Sequence, residues 1–268
     1  MTTVPCAGQC SANNTLSTVG IEWPRIRVRE ARVRTEDDIM PAYVAQPRNG
    51  DHLPVVVLIH GIYGITRYIR EVAHRLANHG YLTVTPDLLV RQGDSSIFEA
   101  ETDLEEKLIA RVPDEQVLGD LDSALSWAAS NGGDIKHLAA TGFGWGGRIA
   151  WLYAAHQPRL KAAAAWYAKL DGTRRPTTPQ HPIDLVTRLQ APVLGLLAGQ
   201  DTADALATAA KFQAALAASG GASCLCEYAD APRGFHSHFR PTFREEAAEE
   251  GWTRMLGWFE QHGVSQKP

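Results

Sequence analysis

Two short stretches near the start of the chain alternate apolar with charged residues. Ile26 to Arg29 and Ala31 to Arg34 both carry the period of a half-exposed strand. The apolar set moves from even to odd positions across Glu30, so keeping one face buried calls for a bulge there or for two short strands. Ala42 to Ala45 extend this edge. The pattern then turns continuous: Val55-Val56-Val57-Leu58-Ile59 suits a central strand buried on both faces, as in parallel sheets. Ile69, Val72, Ala73 and Leu76 share one face of a helix over 67–79, which Gly80 stops. A strand over 81–85 ends at Pro86. Further helices are predicted over 115–131, 147–156 and 203–218, with strands over 138–141, 161–167, 193–198 and 223–228. An amphipathic helix over 242–262 closes the chain. Strands alternating with helices predict an α/β fold, a parallel sheet covered on both faces in one domain over 23–268. Residues 1–22, small and polar without periodicity, read as a loose arm.

Composition narrows the class. Of 268 residues, 44% are hydrophobic and 21% charged, which excludes disorder and leaves enough apolar surface for a sizeable core. The net charge of −4 gives no basic field for nucleic acid or an anionic membrane. No apolar run has the length of a spanning helix or of a signal peptide, so a cytoplasmic protein is expected. Cys6, Cys10, Cys224 and Cys226 show no zinc spacing and read as free thiols; no metal and no cofactor is expected.

Chemistry in such sheets gathers at the carboxyl ends of the strands. Thr141-Gly142-Phe143-Gly144-Trp145-Gly146-Gly147 has the frame of a nucleophile elbow, a strained strand-to-helix turn that projects its central residue above the sheet. The Trp145 N–H is then part of an oxyanion hole. Asp201 follows a second strand and Ala231 to His236 a third, in the chain order nucleophile, acid, histidine.

With Ile59 to Gly64, Pro86 to Gln92, the Gly142–Gly147 elbow, Ala198 to Asp201 and Ala231 to Phe239 in that order, the sequence resembles the dienelactone hydrolase family of α/β-hydrolases. The resemblance implies a mostly parallel sheet of about eight strands and hydrolysis of lactones or esters that carry a carboxylate, by a Cys-His-Asp triad. It also implies where this chain departs. Gly144 stands in the cysteine slot, Arg233 in the histidine slot and Gly61 in the place of an activating glutamate, while Asp201 is retained. Arg91 matches an arginine that holds the substrate carboxylate. Glycine cannot form an acyl-enzyme and arginine cannot serve as a base.

Two outcomes follow from these residues. The site is turned to binding a small carboxylate- or lactone-type ligand through Arg91 and Arg233, beside Trp145 and Tyr63. Alternatively His60 or His236, with Asp201, activates water or moves a proton, with Ser237 a weaker nucleophile candidate. A fold kept only for interaction is the third reading. Phe143, Phe235 and Trp151 are further candidates for an aromatic pocket, and a monomer or homodimer is expected.

Overall fold

The computed structural model describes residues 25–265, so the expected arm, Cys6 and Cys10 lie outside it. The strands are β1 (Ile26–Arg34), β2 (Ile39–Pro47), β3 (Leu53–Ile59), β4 (Leu82–Pro86), β5 (Gly133–Phe143), β6 (Ala162–Trp166), β7 (Val193–Gln200) and β8 (Cys224–Pro232). They form one sheet in the order β1-β2-β4-β3-β5-β6-β7-β8. β3 to β8 run parallel, and the β1–β2 hairpin adds an antiparallel edge to β4. This is the mostly parallel eight-stranded sheet that the resemblance implies.

The helices are α1 (Arg67–Asn78), α2 (Glu101–Lys107), α3 (Asp114–Ala129), α4 (Trp145–His156), α5 (Ala203–Ser219) and α6 (Glu245–Gln261). All seven residues of β3 are buried, because both faces are covered. Val55, Val57 and Ile59 pack in the layer of α3, α4 and α5, with Leu121, Ile149 and Phe212. Val56 and Leu58 pack in the layer of α1 and α6, with Leu76 and Met255.

That two-sided cover overturns the bulge expected at Glu30. The β1–β2 register runs unbroken from Ile26↔Pro47 to Arg34↔Ile39. Ile26 belongs to one apolar layer and Ala31 and Val33 to the other, so the change of phase needs no extra residue. The seven-residue α2 escapes the sequence pattern because only Leu104 in it is buried, too little to set a period.

α4 lies so close to the sheet that a Cβ on Gly146 would come within 2.4 Å of the carbonyl oxygens of Ile59 and His60. Gly146→Ala is therefore expected to lower stability by about 1–3 kcal/mol or more. A urea midpoint unchanged from the parent would show instead that the helix backs away freely.

The cysteines differ from expectation. Cys224 is disulfide-bonded rather than a free thiol, a pairing that the spacing of the four cysteines does not reveal. Cys226 keeps its thiol, which burial pushes up. Among the described residues no helix is long and apolar enough to cross a membrane.

Candidate functional site

Gly144 alone makes the turn between β5 and α4, at φ 60° and ψ −110°. Its N–H donates to the Trp166 carbonyl at 2.9 Å, and its carbonyl accepts the Arg148 N–H at 3.1 Å. Positive φ favours glycine. The backbone thus has the strained elbow geometry, but nothing is projected from it. A Cβ built on Gly144 would meet no atom within 4 Å, so the space beside the elbow is open.

That space belongs to a cavity of about 880 Å³. Its aromatic walls are Tyr63, Tyr68, Phe143, Trp145 and Tyr167, and Gly61 and Ser237 line it too. Lys169, Arg175, Arg233 and Arg240 bring positive charge, and α2 brings three exposed glutamates, Glu101, Glu105 and Glu106. Trp151 and Phe235, also expected near a pocket, are instead fully buried in the core.

The retained acid lies apart from the histidines. Asp201 lines a smaller cavity of about 270 Å³, and Arg233 borders both cavities. The Thr202 N–H donates to the Asp201 carboxylate at 2.8 Å. Among the described residues neither Asp201 nor Arg233 has an ion pair, so the two do not neutralise each other.

His60 is fully buried at the end of β3. The Leu88 N–H donates to its Nε2 at 3.1 Å, which leaves the proton on Nδ1, donating to the Gly61 carbonyl at 2.7 Å. Both nitrogens are engaged, the ring lies against Trp145, and burial lowers its pKa. His236 is boxed by Trp166, Phe143 and Trp252, and its Nδ1 meets the Tyr68 hydroxyl at 2.6 Å. Neither histidine reaches Asp201.

Arg91 does not line the cavity. It forks onto Asp120 at 2.6 and 2.9 Å and donates to the Thr35 hydroxyl at 2.8 Å. Its guanidinium is turned to bracing α3 against the β1–β2 edge, away from the cavity, so the expected carboxylate contact is not made from this wall.

Desolvation, with the charge of Arg75 and the neighbouring His238, pushes the His236 pKa down to about 3. An unfolded imidazole titrates near 6.5, so between these values the unfolded chain binds the extra proton. The contribution is complete above about pH 6.5 and is lost as the pH falls. Between pH 7 and pH 5 it amounts to about 2 kcal/mol. In His236→Gln the drop in unfolding free energy over that interval is expected to shrink by that amount. An equal drop in parent and variant would show that His236 is not held neutral by the fold.

A mostly parallel sheet with a strand–Gly144–helix elbow and an acid after β7 defines an α/β-hydrolase fold. The model of the "Dienelactone hydrolase family" matches residues 40–263. The chain belongs to that family. It is 44% identical to a "Putative carboxymethylenebutenolidase" of Salmonella typhi and 42% identical to one of Escherichia coli K12, each over 98% of both chains. A crystal structure titled as a putative dienelactone hydrolase from Klebsiella pneumoniae superposes with a TM-score of 0.86 at 44% identity, over 88% of this chain and 99% of that one.

The sequence reading missed Tyr68, Tyr167, Lys169 and Arg240. Tyr167 stood at the carboxyl end of a predicted strand, where such sheets place their sites, and that position was the available signal. Arg240 and Tyr68 gave none, because helix α1 and a loop far along the chain bring them to the cavity.

Proposed function

We propose that this protein holds a small anionic ligand of carboxylate or lactone type in the cavity over Gly144, and that it does not turn the ligand over by the covalent route of its family. The observation that carries this reading is Gly144 itself: the elbow backbone is in place, the side-chain space is empty, and the cavity continues into it. Arg233, which borders the same cavity without an ion pair among the described residues, supplies charge where a base would be needed. A guanidinium presents paired N–H groups that match a carboxylate. Water activation draws less support, because His60 has both ring nitrogens engaged and His236 faces Tyr68 within an aromatic box.

Calorimetric titration with benzoate at low ionic strength tests the reading. Saturable binding is expected, weakened about tenfold or more in Arg233→Ala through loss of a charge-assisted bond. No binding, or an affinity unchanged in Arg233→Ala, would overturn it.

A further inference from the structure

One hydrogen bond in the cavity wall has its direction set by what lies behind it. Tyr68, on α1, lines the cavity, and its ring stands edge-on to that of Phe143, the residue before Gly144, with centres 5.4 Å apart. Behind it lies His236, 3% exposed and outside the cavity lining. Tyr68 Oη and His236 Nδ1 are 2.6 Å apart. The imidazole packs on Trp166, Phe143 and Trp252, with ring centres 4.5, 5.3 and 5.8 Å away. Its other nitrogen, Nε2, is buried and has no hydrogen-bond partner among the described residues.

A neutral imidazole carries one proton, so two arrangements compete. With the proton on Nε2, the Tyr68 hydroxyl donates to Nδ1 and a buried N–H is left without an acceptor. With the proton on Nδ1, that N–H donates to Tyr68 Oη and only a lone pair is left bare at Nε2. Orphaned buried donors are the rarer of the two defects, and the second arrangement satisfies every donor that the first leaves unpaired. It also turns the phenol hydrogen away from the imidazole, to the cavity that Tyr68 lines. Burial raises the Tyr68 pKa, so the phenol keeps that hydrogen. A hydroxyl that already accepts a bond is the stronger donor, because bonds in a chain polarise one another. The bond to His236 and the contact with Phe143 hold the ring in place before any ligand arrives.

We infer that Tyr68 is an uncharged hydrogen-bond donor to an oxygen of the ligand, and that His236 is its positioning residue, turning the phenol hydrogen outward by donating from Nδ1. His236 is thereby neither a base nor a bystander. The inference rests on the reading that the cavity holds a ligand, and adds to it a donor that recognises a carbonyl oxygen whether or not the ligand is charged.

The first measurement needs no ligand. Long-range proton–nitrogen NMR of the full chain with isotope-labelled histidine, His236 being assigned by its absence in His236→Gln, is expected to show the proton on Nδ1 at neutral pH. A proton on Nε2 would overturn the inference. The second is calorimetry with phthalide, an uncharged aromatic lactone, and with benzoate. Tyr68→Phe is expected to weaken phthalide binding about threefold to tenfold, the worth of one neutral hydrogen bond. If that variant does not fold, Tyr68→Phe with His236→Leu carries the same test and leaves no N–H unpaired. Phthalide affinity unchanged without the Tyr68 hydroxyl, a loss confined to Tyr167→Phe on the same wall, or no phthalide binding by the parent would each overturn the inference. Phthalide binding that depends on Tyr68, with no binding of benzoate, would support it while overturning the anion-binding reading. Benzoate binding that depends on Arg233, with phthalide indifferent to Tyr68, would do the reverse.

Discussion

Gly144→Cys alone is expected to leave hydrolysis of a dienelactone at the level of a heat-denatured blank. The triple variant Gly61→Glu, Gly144→Cys, Arg233→His is expected to raise it about 10²-fold or more above that level. Room is not the obstacle. A Cβ on Gly144 meets nothing within 4 Å, while one on Gly61 lies a tight 3.3 Å from the Phe143 carbonyl oxygen, which must give by a few tenths of an ångström. The obstacle is the proton. A thiol attacks as the thiolate, and the nearest candidates for a base are unsuited: Arg233 stays charged, while His60 and His236 are held neutral away from Asp201. A histidine at 233 restores a base on the wall that borders both the elbow cavity and the Asp201 cavity. Initial rates on the purified variants decide the matter. Substantial turnover by the single variant would mean that another group activates the thiol, and the account of Arg233 as the blocking residue would fall.

Asp114→Ala is expected to cost about 3–5 kcal/mol of stability. Arg148 and Asp114 face each other with side chains only 5% and 9% exposed, joined by two bonds of 2.7 and 2.8 Å. The same guanidinium donates to His181 Nδ1 at 3.2 Å and to the Gln180 carbonyl at 2.6 Å. It thereby ties the first turns of α3 and α4 to the loop that supplies Lys169 and Arg175. The Thr177 carbonyl, accepting the Asp114 N–H at 2.8 Å, fastens that loop a second time. Removing the carboxylate leaves a buried charge without its partner. The double variant Asp114→Leu, Arg148→Met should recover most of the loss, since it removes both charges. Urea unfolding of the three proteins reads this directly. A loss under 1 kcal/mol in Asp114→Ala would show that solvent reaches the pair.

Much of the sheet could be read from the chain because its signals are local. The apolar run of β3, the helix face of Ile69 to Leu76 and the glycines about Gly144 each reflect neighbours within a few residues. The elbow and the Asp201 and Arg233 positions were legible for the same reason, as short motifs in a fixed order. What stayed hidden depends on distant partners. Arg91 looked like a ligand contact until Asp120, brought beside it by α3, took its donors. His236 looked like a base until Tyr68, 168 residues earlier, was found on its Nδ1. The phase change in β1 suggested a bulge because its two apolar sets were assigned to one face, when the sheet has two.

The elbow also bears on the direction in which this protein can change over generations. A side chain held at positive φ stores roughly 1–3 kcal/mol of backbone strain, which glycine does not. With glycine at residue 144, at φ 60°, the fold does not carry that strain. Any substitution of a side chain there would meet that cost at once, with no base beside it to make it useful. The conformation of a single peptide turn thus favours keeping glycine there against any side chain that does not bring its own advantage.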